Sequence, residues 1–326
     1  MTKRGYQPPF TLTSEIVSLV ADIAEQIGRL SAQPDFGKDL RLRRINRIRT
    51  IAGSLAIEGN TLTEEQITAI LDGKTVLAPP RELQEARNAL AVYEKLQKWN
   101  PLTERDLLAA HKQLMRGLLD HPGVYRGGGV GVMAGGKVLH MAPQAARVPK
   151  LMTQLLDWLK STDVHPLIAS SVFHYEFEFI HPFADGNGRM GRLWQTLLLS
   201  RWQPAFAWLP VESLVHKQQA AYYQALNDST AASDSAPFIR FMLGCILDAV
   251  RRAGDKTRAK TLVQTRVKTP RQILDLLRQH PEISLVEVAQ SLGRAVSTVE
   301  RAVAKLQADG KLRYCGPKKG GHWEVL

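Results

Sequence analysis

Between two apolar stretches that read as helices, residues 171–180 and 190–202, the chain carries His181-Pro-Phe-Ala-Asp-Gly-Asn-Gly-Arg-Met-Gly-Arg192. This segment constrains the fold more than any other. Pro182 predicts the end of the first helix, because the residue before a proline is driven out of the α region. The second, Met190–Trp202, has an apolar stripe at Leu193, Leu197 and Leu198, the 3.6-residue period of an amphipathic helix. A tight turn must join them, and Gly186, Asn187 and Gly188 suit one that gathers consecutive backbone N–H groups into a concavity. An anion held there would face a helix N-terminus, where free amides and the macrodipole favour negative charge.

The polar residues of the segment fit the same chemistry. Arg189 and Arg192 lie three positions apart, so both guanidiniums can overlie one side of the first turn and clamp a polyphosphate. Asp185 is a hard oxygen ligand, suited to Mg²⁺ that already sits on phosphate oxygens. His181 brings an imidazole, the usual proton acceptor for a hydroxyl at neutral pH. Phosphoryl-type transfer needs an in-line nucleophile, a proton acceptor and fixed positive charge.

HPFADGNGRMGR resembles the signature of the Fic (fido) family, His-x-Phe-x-(Asp/Glu)-Gly-Asn-Gly-Arg-x-x-Arg, with every fixed position filled. The resemblance implies a mainly α fold: a Fic-type helical core with a β-hairpin flap, an N-terminal helical region and, here, a C-terminal winged helix. It implies an enzyme that transfers AMP from ATP to a Ser, Thr or Tyr hydroxyl of a target protein. In that reading His181 deprotonates the hydroxyl and Asp185 holds Mg²⁺. Gly186, Asn187 and Gly188 cradle the α- and β-phosphates, with Arg189 and Arg192 on the outer ones. Two rivals remain open: a DNA-binding regulator whose core only senses a nucleotide, and a related enzyme transferring another phosphate-containing group.

Ser54-Leu-Ala-Ile-Glu58-Gly59-Asn60 is the second telling segment. Gly59 suits the residue just past a helix spanning 45–57, which puts Glu58 at a helix C-terminus, where an anion is disfavoured. A residue that breaks a local rule is a functional candidate. The segment resembles the inhibitory motif of the family's class II, (Ser/Thr)-x-x-x-Glu-(Gly/Asn). By that resemblance Glu58 pairs with Arg192 where the γ-phosphate should sit, and Ser54 orients the carboxylate. Some braked members also use this glutamate to remove AMP; the sequence leaves that open, along with auto-AMPylation.

The remaining readings are coarser. Short β-prone runs flank Gly135-Gly136, a two-residue hairpin signal; strands 130–133 and 138–141 follow from it. By resemblance this is a flap that docks the target by strand addition at Val130, Gly131, Val132 and Met133. Tyr222 is placed by resemblance beside the adenine ring, although Thr230 stands where relatives carry an Asn. His174, Trp194 and Trp202 read as core.

The net charge is +12, and residues 251–326 hold 16 Lys and Arg against 7 Asp and Glu. That asymmetry, with a helix–turn–helix pattern over 269–326, suggests a winged helix that docks DNA or protein. Ser297, Thr298, Arg301 and Lys305 would face a DNA groove, with Lys318 and Lys319 at the wing tip. The expected organisation is an N-terminal helical region 1–100 with the inhibitory motif at 54–59, a catalytic domain 101–252, a polar basic connector 253–268 and the winged helix 269–326. No apolar run approaches the ~20 residues that span a bilayer. Two distant cysteines, Cys245 and Cys315, and an N-terminus without an apolar core suggest a cytoplasmic protein. A homodimer is a further expectation from the resemblance.

Overall fold

The structure is a computed structural model that describes residues 5–33, 40–129, 131–134, 137–317 and 321–326, with side chains described outside 131–134, 137–141 and 256–268. It divides into two compact units, residues 1–253 and 254–326.

Among the described residues the regular structure of the first unit is helical apart from one hairpin. In chain order it contains α1 (Ser14–Ser31), α2 (Leu40–Ile57), α3 (Glu64–Leu71), α4 (Pro80–Glu94), α5 (Glu104–Leu114), the strands β1 (Gly131–Ala134) and β2 (Lys137–Met141), and α6 (Val148–Ser161). Then follow α7 (Pro166–Ile180), α8 (Asn187–Trp202), α9 (Val211–Lys217), α10 (Gln219–Ala232) and the first part of α11 (Ala236–Gln279). α7 and α8 form the centre. Both are buried around most of their circumference, as expected of helices that are wrapped by others rather than lying on a surface. Leu193 and Leu197 are fully buried, whereas Leu198 is half-buried. Trp194 is enclosed and donates its indole N–H to the Pro101 carbonyl at 3.0 Å, and half-buried Trp202 stacks on Phe206.

α8 begins three residues earlier than the apolar pattern suggests, so Asn187 and Gly188 lie in its first turn rather than in a loop. Burial overrides the poor helix propensity of glycine here. α2 packs closely on α9: a Cβ on Gly53 would lie 2.6 Å from the Ser213 amide nitrogen, and Ser213 Oγ donates to the Arg49 carbonyl at 2.8 Å. Gln219 Nε2 donates to the Ile57 carbonyl at 2.8 Å, satisfying one of the open carbonyls at the end of α2. Gly59 follows with φ +86°, the left-handed turn that ends helices.

β1 and β2 pair antiparallel, Gly131 opposite Met141, with an irregularity between Val132 and Met133. β1 starts and ends one residue later than expected, and β2 starts one residue earlier and ends at Met141 as expected. Val130 and the Gly135-Gly136 turn lie outside the described residues.

The second unit contains the remainder of α11, α12 (Leu285–Ser291), α13 (Val296–Ala308) and the antiparallel pair β3 (Leu312–Cys315) and β4 (His322–Val325). The segment 253–268, expected to be a connector, is helical within α11. Its polar composition is compatible with a helix, because Lys, Arg, Ala, Leu and Gln are strong helix formers and a helix need not be amphipathic to be solvated. Ser284 and Glu287 form a reciprocal capping box at the start of α12. Ile273, Leu277, Val288, Val299, Val303 and Leu306 make this unit's own core. Among the described residues no helix is long and apolar enough to cross a membrane.

Candidate active site

The turn between α7 and α8 is built by residues that close it locally. His181 caps α7 with φ 50° and ψ 61°, donating its backbone N–H to Phe177 at 2.9 Å. A left-handed conformation costs a non-glycine residue free energy, and such outliers gather at functional sites. Gly186 caps the start of α8 with φ +85°, and a Cβ there would sit 2.6 Å from Met115 Sδ. Asn187 is 2% exposed and grips Phe183 at both ends: Oδ1 accepts the Phe183 N–H at 2.9 Å and Nδ2 donates to its carbonyl at 2.9 Å. The expectation that this side chain cradles phosphates is therefore corrected. Its amide is spent on the shape of the turn.

His111 supports the turn from α5. Its Nδ1 accepts the Gly123 N–H at 2.9 Å, which leaves Nε2–H to donate to the Asp185 carbonyl at 3.0 Å. The ring stacks on Phe183 with centroids 3.6 Å apart. Burial, with Arg189 nearby, pulls its pKa down to about 4, although the Asp185 carbonyl favours the charged form. The sign follows from linkage. A histidine in the unfolded chain takes up a proton near pH 6.5 and the folded one does not until about pH 4, so stability is lost as pH falls through that window. The loss should reach about 2–3 kcal/mol. Urea denaturation at pH 7 and pH 4 measures it, and His111→Phe, which keeps a stacking ring, should lack that share of the pH dependence.

Positive charge converges where the turn meets α8. Arg192, 2% exposed, donates through Nε to Ser54 Oγ at 3.1 Å and through Nη2 to the Ser54 carbonyl at 3.0 Å and to Glu58 Oε1 at 2.7 Å. The guanidinium thus sits at the carbonyl end of α2, the end that favours a cation, and this is what makes a glutamate tolerable there. Burial disfavours the Arg192 charge, but the ion pair and hydrogen bond with Glu58, together with Tyr222 and Glu178 nearby, raise the pKa. Ser54 meets the guanidinium rather than the carboxylate, a correction to its expected role. A Cβ on Gly188 would overlap the Glu58 carboxylate, so this carboxylate lies against the first turn of α8, which has no side-chain cap. The structure already holds an anion at that N-terminus, and the anion is the chain's own.

Asp185 and Arg189 are engaged in a second network that the sequence did not reveal. Asp185 Oδ2 pairs with Arg81 Nη2 at 2.8 Å, and Oδ1 pairs with Arg189 Nη2 at 3.3 Å and accepts the Gly186 N–H at 2.6 Å. Glu85 faces both arginines, at 3.2 Å from Arg189 Nη1 and 3.4 Å from Arg81 Nε, and its Oε2 accepts from Asn60 Nδ2 at 2.9 Å. Arg189 Nε is buried without a hydrogen-bond partner among the described residues, as is His181 Nδ1. These orphaned groups, the uncapped helix and the Asp185 carboxylate fit a triphosphate carrying Mg²⁺, which keeps most of its ligands on phosphate and water.

Other expected residues fall elsewhere. Tyr222 is 2% exposed, packed among Tyr223, Phe238 and Phe241, with its hydroxyl 3.2 Å from His174 Nε2. It is a core residue here, not a face open to adenine. His174 is fully buried with Nδ1 2.7 Å from Gln195 Oε1. Arg126, which sequence reading passed over, is buried at the base of the hairpin and donates from Nε to the His181 carbonyl at 2.7 Å. Its only sequence signal was its place just before the glycine run 127–129. In the second unit Ser297, Arg301 and Lys305 are exposed on α13 and Thr298 is half-buried, whereas Lys318 and Lys319 lie outside the described residues. A groove of about 870 Å³ runs beside α13, lined by Arg271, Arg294, Thr298, Arg301, Lys305 and Lys311 among others.

Residues 101–199 match the Fic/DOC family and residues 266–313 match a winged helix-turn-helix DNA-binding family. A protein adenylyltransferase Fic of Nematostella vectensis is 32% identical over 206 residues, which are 59% of this chain and 45% of that protein. The counterpart in Drosophila melanogaster is 31% identical over 204 residues, 59% of this chain and 39% of that protein. The chain thus spans less than half the length of these curated relatives. A crystal structure of a Fic family protein from Desulfovibrio desulfuricans G20 is 49% identical, covers 98% of both chains and superposes with a TM-score of 0.75. Fic-1 of C. elegans, at 22% identity and a TM-score of 0.65 over 75% of this chain and 73% of that one, shares the fold. The chain belongs to the Fic family and carries a C-terminal winged helix-turn-helix.

Proposed function

We propose that this chain is a self-braked, cytoplasmic protein adenylyltransferase that moves AMP from ATP to a hydroxyl of a target protein. The carrying observation is the Glu58 carboxylate against the uncapped start of α8 with Arg192 clamped on it at 2.7 Å. A site that attracts its own anion this way is built for a stronger one. In this reading the free amides of α8 and Arg192 hold the phosphates, and Arg189 turns from Glu85 toward them. Asp185 would hold Mg²⁺, which neutralises charge on the phosphate oxygens. The His181 imidazole takes the proton of the target hydroxyl as its oxygen forms a bond to the α-phosphorus, and pyrophosphate leaves with the bonding pair. Glu58 blocks this by keeping Arg192 from the outermost phosphate. The names of the curated relatives support AMP as the group transferred.

Intact mass spectrometry of the Glu58→Gly chain after incubation with Mg²⁺ and each nucleoside triphosphate, or with a phosphocholine donor, tests the assignment. The added mass should be one adenylyl group, from ATP; a phosphoryl or phosphocholine adduct instead, or none, overturns it.

The winged helix is assigned to DNA on the strength of the basic groove and the exposed cations of α13. Four or five phosphate contacts should cost affinity for random duplex roughly 150- to 500-fold between 50 and 200 mM salt. Fluorescence anisotropy measures this, and an affinity indifferent to salt would leave protein docking as the better reading.

A further inference from the structure

Arg126 is 6% exposed, and burying a charge costs free energy unless its surroundings replace water. Burial does lower its pKa. Yet its fork is aimed at carbonyl oxygens. Nε donates to His181 at 2.7 Å, Nη2 to Ile180 at 3.3 Å and to Pro143, and Nη1 to Gly128 at 2.8 Å. Its backbone N–H donates to the Pro182 carbonyl at 2.9 Å. Of the four carbonyls that the guanidinium meets, Ile180 and His181 close α7, where the macrodipole welcomes a cation. The other two, Gly128 and Pro143, are the roots on either side of the β1–β2 hairpin. One planar guanidinium therefore touches both roots of the hairpin and the backbone of the strained His181. Lysine, a point charge without a fork, cannot span that set.

We propose that Arg126 is a positioning residue that makes the seating of a target segment on the hairpin and the aiming of the His181 imidazole one coupled event. This rests on the adenylyltransferase reading for its purpose, though not for its geometry. If the hairpin shifts when an extended segment adds to it, Arg126 carries the shift to the carbonyl of His181, whose N–H is fixed by Phe177. The imidazole then turns with the hairpin.

The test uses the full chain as Arg126→Lys and Arg126→Ala, read without substrate. Hydrogen–deuterium exchange reports the roots, amides 127–129 and 144–146, and ¹H–¹³C NMR reports the imidazoles. Exchange should rise about tenfold at both roots, and the His181 signal should move while His111, held by Gly123 and the Asp185 carbonyl rather than by Arg126, stays fixed. Looser roots with an unmoved His181 signal would overturn the coupling, leaving Arg126 a simple anchor. Unchanged exchange overturns it too. Should Arg126→Ala not fold, Arg126→Lys, which keeps the charge and fewer bonds, decides alone. In the Glu58→Gly background Arg126→Lys should raise KM for a target and lower kcat together. A chain inert toward ATP but coupled in these spectra would sink the proposed function and not this inference; an active chain without coupling would do the reverse.

Discussion

Glu58→Gly should raise AMP incorporation from α-labelled ATP by about tenfold to a hundredfold over the unaltered chain. The size of the rise follows from what the nucleotide must displace. A hydrogen bond between charged groups is worth about 1.5–3 kcal/mol, and each 1.4 kcal/mol withheld from the competent state is about a tenfold loss in its population. The Glu58 side chain is 35% exposed, so solvent screens it and the lower end of the range is expected. Opposing that screening, Arg192 is fully enclosed and Glu58 is the carboxylate that contacts it. The variant should melt at a lower temperature, because a buried guanidinium has lost its counterion, and Mg²⁺–ATP should restore much of that stability by binding where the carboxylate lay. Glu58→Gln, which keeps a hydrogen-bond acceptor and removes the charge, should fall between. Equal labelling of Glu58→Gly and the unaltered chain would refute the brake.

What the sequence disclosed here was mostly local. The turn at 181–186, the helix end at Gly59 and the Ser284–Glu287 box follow from proline, glycine and short-range hydrogen bonding. The pairing of Glu58 with Arg192, 134 residues apart, was reached only through a family pattern, since no local rule reports it. His111 and Arg126 were missed for the same reason: their partners lie 74 and 55 residues away, and neither sits in a spacing that singles it out. Tyr222 was misread because an aromatic identity does not say which way a helix face turns; in the fold it closes an aromatic cluster with Phe238. Asn187 was misread more instructively. Its motif position suggested ligand contact, but an Asn four residues after Phe183 can satisfy that residue's N–H and carbonyl together, and the turn needs this more than a ligand does. Asp185 and Arg189 were placed correctly near each other, yet their counter-charges on α4 were invisible until α4 was packed against them.

His181→Ala, made in the Glu58→Gly background, should lower AMP transfer by about 10²–10⁴-fold, the usual worth of a positioned general base, while ATP affinity changes by less than about twofold. The separation is expected because the turn does not depend on the imidazole. Its backbone is held by Phe177 and Arg126 at His181, by Asn187 at Phe183 and by His111 at Asp185, so truncation should leave the phosphate side of the site standing. A protein that labels equally well without this side chain would remove the base from the scheme. His181→Gly sharpens the experiment. At φ 50° alanine keeps the left-handed strain and glycine relieves it, so the glycine variant should be the more stable of the two by about 0.5–1 kcal/mol and just as inactive. A position where the most stable residue is a dead one is held against stability by the work its side chain does. If glycine proved no more stable than alanine, the left-handed backbone would not be strained, and the case for His181 would rest on the transfer rate alone.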